Sequence, residues 1–269
     1  MNVRHAAVAA LLLGLVPQSA LAQAGSITPV VSTTMQRNCE AETSAQVLRQ
    51  GGQEVTGSQP TIERQTRTLR ITRAGAGYRF EQNVDAPQGD ILLRFNVAAN
   101  GAPSGATLSG SSIDAYAAAA PEIDLSELAA AFADDVPERL LIGRTLAVGD
   151  TYYPVELQRS LVGRMTTGMG LPFPVDGSID IRYRGEVMRG GRRAWRFTGE
   201  MTMQGAGTLN GLPVTIAQTT QTEVLHDAET ALVLAFNADA ETRLDMNGQP
   251  FQVSRNTDKY TCAIVPQPA

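Results

Sequence analysis

The sequence predicts a mainly β protein, a strongly bent antiparallel meander of the half-barrel or open-barrel type, with one helix inserted at about 124–135. Three observations carry this. Short segments of period two recur between turn residues, the pattern of half-buried antiparallel strands. The motif Asn-Gly-x-Pro occurs as NGAP at 100–103, NGLP at 210–213 and NGQP at 247–250, and Asn-Gly supplies the two positive-φ residues of a type I′ hairpin turn. A single interval, 113–140, lacks the alternation and shows a helical period instead.

Taken in order, residues 1–22 place Arg4 ahead of an apolar run and end in Ala20-Leu21-Ala22, the form of a cleavable secretory leader. Export to the periplasm follows, with an extracellular destination as the other option. Past the leader no stretch approaches the roughly 20 apolar residues of a membrane helix, so no transmembrane segment is expected. Removing Arg4 leaves 21 basic against 27 acidic residues, a net charge of −6, the wrong sign for a generic nucleic-acid binder. Residues 23–65 are polar and without a long apolar period, and read as an arm tied down at Cys39. In an oxidising compartment the two cysteines, Cys39 and Cys262, are expected to form one bridge between the ends of the mature chain.

The β domain is expected over 66–262, followed by a tail at 263–269. Leu69 and Ile71, then Tyr78 and Phe80, then Ile91, Leu93, Phe95 and Val97 mark three successive strands by their alternation. A turn at Asn100-Gly101 sets Phe95 against Ala106 and Leu93 against Leu108. In the helical insertion at 113–140, Asp124 and Glu127 resemble a capping box, and Leu125, Leu128 and Phe132 share one helical face.

The segment RYRGEVMRGGRRAWRFTGEM, residues 182–201, holds six arginines around the lone tryptophan. A three-residue loop at 190–192 puts Val187 opposite Trp195 and Tyr183 opposite Gly199, and pairs Glu186 with Arg196 and Arg182 with Glu200. Arg189, Arg192 and Arg193 then lie at a hairpin tip. Next, Asn210-Gly211 sets Gly207 against Val214, Gly205 against Ile216, Met203 against Gln218 and Met201 against Thr220. His226 falls in a further hairpin tip, with Val224 opposite Leu232, and reads as solvated. The last turn, Asn247-Gly248, sets Leu244 against Phe251 and Thr242 against Val253.

Catalytic patterns are sparse. His226 is the only histidine after the leader, Lys259 is the only lysine, and no GxSxG, P-loop, zinc or EF-hand spacing occurs, so no cofactor or metal is expected. Carboxylates such as Asp134, Asp135 and Asp150 keep an acid/base hydrolase among the alternatives.

The leader, the bent meander and the inserted helix together resemble the unclosed half-barrels of bacterial envelope carriers, the LolA/LolB-like lipoprotein and lipid chaperones, across residues 66–261. The resemblance implies a non-catalytic periplasmic protein that holds a lipid or acyl chain on a concave sheet face. Trp195, Phe197, Met201, Met203 and Gln218 would then line that face, and Met165, Met169 and Phe173 would belong to an apolar rim; methionine suits an adaptable wall. The alternative is a structural or adaptor envelope protein that meets a protein partner through an edge strand or the Arg189–Arg193 tip.

Overall fold

The computed structural model describes residues 25–119, 124–158 and 173–268. The expected leader at 1–22 and the methionines Met165 and Met169 of the expected rim lie outside the described residues. In chain order the elements are β1 (Ser26–Ile27), β2 (Met35–Gln50), β3 (Gln53–Glu54), β4 (Thr61–Ala74), β5 (Gly77–Ala86), β6 (Gly89–Val97), β7 (Pro103–Ser109), α1 (Ser111–Ala119) and α2 (Leu125–Asp134). A 3-10 turn (Pro137–Leu141) follows, then β8 (Leu146–Ala147), β9 (Val175–Arg189), β10 (Arg192–Leu209), β11 (Leu212–Asp227), β12 (Val233–Met246) and β13 (Gln249–Pro266).

One antiparallel, unclosed sheet contains all but β1 and β8, which pair with each other. Its order is β7-β6-β5-β4-β2-β13-β12-β11-β10-β9, with β3 beside β2. Two meanders thus run outward from a central pair, β2 and β13, and the edges are β7 and β9. Cys39 and Cys262 are direct register partners in that central pair and are bonded, with Cα atoms 4.0 Å apart.

The expected arm at 23–65 is therefore corrected. Residues 35–50 form a central strand, and β4 begins at Thr61. The alternation was hidden because the inward residues are Arg37, Cys39 and Ala41, all buried, and an arginine scores as polar. The tail is corrected likewise, since β13 continues to Pro266.

The concave face closes on a plug formed by the 3-10 turn and the segment up to Tyr153. Leu69, Phe80 and Phe95 from one meander and Ile181 and Phe197 from the other join one core with Leu141, Leu146 and Tyr152. The convex face carries charge rows instead, including Lys259–Glu42 at 2.8 Å, Arg255–Glu241 at 3.0 Å and Arg196–Glu223 at 2.6 Å.

Helix α2 begins as expected, with Asp124 Oδ1 accepting from the backbone N–H of Ser126 at 2.8 Å and of Glu127 at 3.3 Å. A second helix, α1, precedes it. The buried face of α2 is Ala129 and Ala133, whereas Phe132 is 44% exposed.

Register separates the expectations further. The Asn210-Gly211 hairpin pairs as predicted at all four rows. At Asn247-Gly248 both turn residues have positive φ, but Phe251 is an extra residue on β13, so Leu244 faces Gln252 and Thr242 faces Ser254. Around Asn100 the loop is wider than two residues, with Val97 opposite Pro103, and a bulge at Gly105-Ala106 restores Leu93 to Leu108. The three-residue loop at 190–192 is replaced by a two-residue Gly190-Gly191 turn and a bulge in which Arg184 and Gly185 together oppose Arg196. Gly185 sits at φ +102°, a conformation side-chain-bearing residues avoid. Trp195 accordingly faces Glu186, and Tyr183 faces Phe197. The charge pairs move with the register: Arg196 binds Glu223, Arg182 binds Asp180 at 2.6 Å, and Glu200 accepts from Gln221 at 2.5 Å.

Candidate functional site: a cavity between helix α2 and the concave sheet

Next to the plug the concave sheet leaves a cavity of about 330 Å³. Its floor is built from strand register. One row runs Val224, Phe236, Tyr260, Ala41 and Gln65 across β11, β12, β13, β2 and β4. An adjacent row brings Arg67, Val84 and Ile91 together on β4, β5 and β6. Leu93 and Leu108 extend the apolar floor to β7, while Phe132, Asp135 and Val136 hang over it from the end of α2. Tyr152 and Tyr153 close one side.

The roof is held by buried Arg139, which donates to Ala133 O at 3.1 Å, Asp134 O at 2.8 Å and Gly101 O at 3.1 Å. These bonds satisfy carbonyls at the C-terminus of α2 and fasten them to the β6–β7 loop. Tyr152 is placed by the segment 149–152, which pairs along β9: Tyr152 N donates to Ile181 O at 2.7 Å and Tyr183 N to Asp150 O at 2.9 Å.

Behind the cavity lies a buried polar cluster. Arg37 Nε is 2.5 Å from Glu138 Oε1 but off the N–H axis, and Arg37 donates through its NH2 to Glu138 Oε2 at 3.3 Å. Burial opposes the arginine's charge, yet Glu138 together with the nearby tyrosines Tyr260 and Tyr152 raises the Arg37 pKa above its ordinary value. Glu138 Oε1 also accepts from Val233 N at 3.0 Å, so the plug is pinned to the sheet on both sides. His226 is fully buried here, not solvated as expected. Its strand pairs four residues further along β12 than expected, with Val224 opposite Phe236, and the turn that follows folds back onto the core. Ala231 O, 2.9 Å from Nδ1, can only accept, so Nδ1 carries the proton and Nε2 accepts from the Tyr152 hydroxyl at 2.7 Å. Burial lowers the His226 pKa to about 4, which keeps the ring neutral.

Across the cavity, Arg67 lies over the Tyr260 ring at 5.0 Å, and Tyr260 stacks on Phe236 at 4.9 Å with the planes 11° apart. Arg67 reaches Asp258 Oδ1 at 3.5 Å, and Thr43 Oγ1 donates to the same oxygen at 3.3 Å. Desolvation, aided by neighbouring Asp135, holds the Tyr153 phenol well above its ordinary range, so it serves as a neutral hydrogen-bonding group.

The residues singled out from sequence lie mostly elsewhere. Trp195 and Phe197 belong to the packed core, with Phe197 against Tyr152 and Tyr183 at ring distances of 4.6 and 5.2 Å. The Trp195 indole N–H is buried without a hydrogen-bond partner. Met203 is buried, Met201 packs against the core, and Gln218 donates to Thr220 Oγ1 and accepts from Thr242 Oγ1, both at 3.2 Å. Phe173 is a core residue seated over Gly205 and Gly207. At the hairpin tip Arg192 binds Asp227 at 2.7 Å and Arg193 approaches Glu186 at 3.5 Å. Of the three carboxylates considered, Asp135 lines the cavity, Asp134 pairs with Arg139 at 3.2 Å and Asp150 accepts from Ala147 N at 2.8 Å. Arg67, Asp258, Tyr260 and Phe236 were missed; the signal was present in the two-residue spacing of Asp258 and Tyr260 on one strand face, but its partners come from β4 and β12.

No family model and no curated protein matches the chain. Among solved structures, an outer membrane channel from Pseudomonas putida F1 matches at 7% identity and a TM-score of 0.24, covering 88% of this chain and 98% of that one.

Proposed function

We propose that this is a non-catalytic, exported binding protein, periplasmic in setting, that holds a small amphipathic molecule in the cavity beneath α2. One observation carries the reading: five of the chain's fourteen aromatic residues converge on this cavity, beside the Arg67–Asp258 pair. Ligand pockets of about 300–1,000 Å³ are typically apolar and aromatic with a few oriented polar groups, and 330 Å³ falls at the small end. The apolar part of the ligand would lie along Val84, Ile91, Leu108 and Phe132. The exposed Phe132 ring is then a ligand contact awaiting cover.

Native mass spectrometry of protein purified from its own host tests this, together with titration of a twelve-carbon amphiphile into the wild type and Ile91→Trp. A co-purified small molecule, and uptake blocked by the added indole, are expected. Protein that takes up no amphiphile, or uptake indifferent to Ile91→Trp, would refute it.

A second reading rests on the edge of β4. Residues Thr61–Gln65 pair with β2 on one side and outrun β5 on the other, so their outward backbone groups suit strand addition by an envelope partner.

A further inference from the structure

The polar half of the cavity narrows the ligand class; this step rests on the reading above. We infer that it recognises a neutral, polyhydroxylated head group, as in a sugar-bearing amphiphile.

Arg37 is already matched by Glu138, so the cation facing the cavity on the floor is Arg67, and Asp258 stands beside it with one oxygen shared between Thr43 and Arg67. A carboxylate or phosphate head placed on Arg67 would be brought against Asp258. An ammonium placed on Asp258 would be brought against Arg67. Either loses to the adjacent like charge much of what it gains from the opposite one, and pays for desolvation in addition.

A hydroxyl group meets both. It donates through its hydrogen and accepts through its lone pairs, whereas guanidinium only donates and carboxylate only accepts. Two neighbouring hydroxyls can therefore donate to Asp258 and accept from Arg67 with no charge left uncompensated. The Gln65 amide, turned with its oxygen toward Arg67 Nε at 3.0 Å, fixes the guanidinium and leaves its own NH2 as a further donor. Gln82 in the same wall adds another donor and acceptor. The stacked Phe236 and Tyr260 rings supply a flat apolar platform next to these groups, suited to the C–H face of a ring-shaped polyol.

Calorimetric titration of the full chain with three probes of equal chain length, each below its micelle concentration, tests the assignment: dodecyl maltoside, dodecanoate and dodecyltrimethylammonium. The maltoside should bind about tenfold or more tighter than either ion. Asp258→Asn and Arg67→Gln should each weaken the maltoside by about tenfold or more, and Asp258→Asn should strengthen dodecanoate by freeing Arg67 of its neighbour. Tighter binding of either ion, or maltoside binding insensitive to Asp258→Asn, would overturn the head-group assignment while leaving the cavity as an amphiphile site. Failure of all three probes would overturn the cavity reading itself. Near-ultraviolet circular dichroism confirms that each variant is folded, and Asp258→Asn, which keeps shape and volume, decides the matter if Arg67→Gln is not.

Discussion

Acid should weaken this fold through His226 by an amount the structure specifies. The imidazole is fully buried, its Nδ1–H is given to Ala231 O and its Nε2 accepts from the Tyr152 hydroxyl, so a second ring proton would place an uncompensated charge in the core and force that hydroxyl to turn its hydrogen to Pro137 O, 3.2 Å away. Burial lowers the folded-state pKa from 6.5 to about 4; Glu138 opposes this fall and Arg37 assists it. The unfolded chain therefore binds a proton between pH 6.5 and pH 4 that the folded chain does not. Stability is intact above about pH 6.5, falls as the pH drops through that window, and levels off below about 4 as far as this residue is concerned. The loss from pH 7 to pH 4 comes to about 3 kcal/mol. Carboxylates titrate at the lower end too, so the assay is a difference: urea unfolding under non-reducing conditions at several pH values, for the wild type and for His226→Gln, which offers one donor and one acceptor but does not titrate. The wild type should lose about 3 kcal/mol more than the variant across the window. Parallel curves would show that the imidazole is accessible or charged in the folded protein, and the buried network as described would be wrong.

Two further substitutions probe packing and charge. In Gly207→Ala the new Cβ would meet Phe173 Cβ, Cγ and Cδ1 at 2.5 Å, so it should cost about 1–3 kcal/mol in urea unfolding, and the cost should shrink against a Phe173→Ala background. Glu138→Ala strands the buried Arg37 charge and should cost about 3–5 kcal/mol, whereas Arg37→Met with Glu138→Leu should restore much of that loss; a double variant as unstable as the single one would refute the account.

The legible parts of the fold are those in which local pattern and pairing agree. Asn210-Gly211 closes a hairpin whose rows continue without interruption along β10 and β11, so counting outward from the turn gives every pair. The arginine hairpin defeats the same count. Beyond the bulge, a three-residue loop and a two-residue turn followed by a bulge put residues of the same parity on the inner face, so the alternation there is satisfied by both. The rows nevertheless differ by two residues, and Tyr183 meets Phe197 instead of Gly199. His226 shows a different limit. Its neighbours in sequence suggest a hairpin tip, but its burial is decided by Tyr152, which is 74 residues away, and by a turn that folds onto the core.

By itself, then, the sequence determined the period-two strands, the Asn-Gly turns at 210 and 247, the Asp124-capped helix and the two cysteines, because each depends on residues within a few positions of one another or on a count of two. It did not determine that residues 35–50 are the central strand, since the inward Arg37 reads as polar until Glu138 arrives from the plug to neutralise it. Nor did it locate the cavity. Arg67, Asp258, Tyr260 and Phe132 lie on three separate elements, β4, β13 and α2, and only the curvature of the sheet around its plug brings them to one place, through contacts whose energy depends on three-dimensional neighbours.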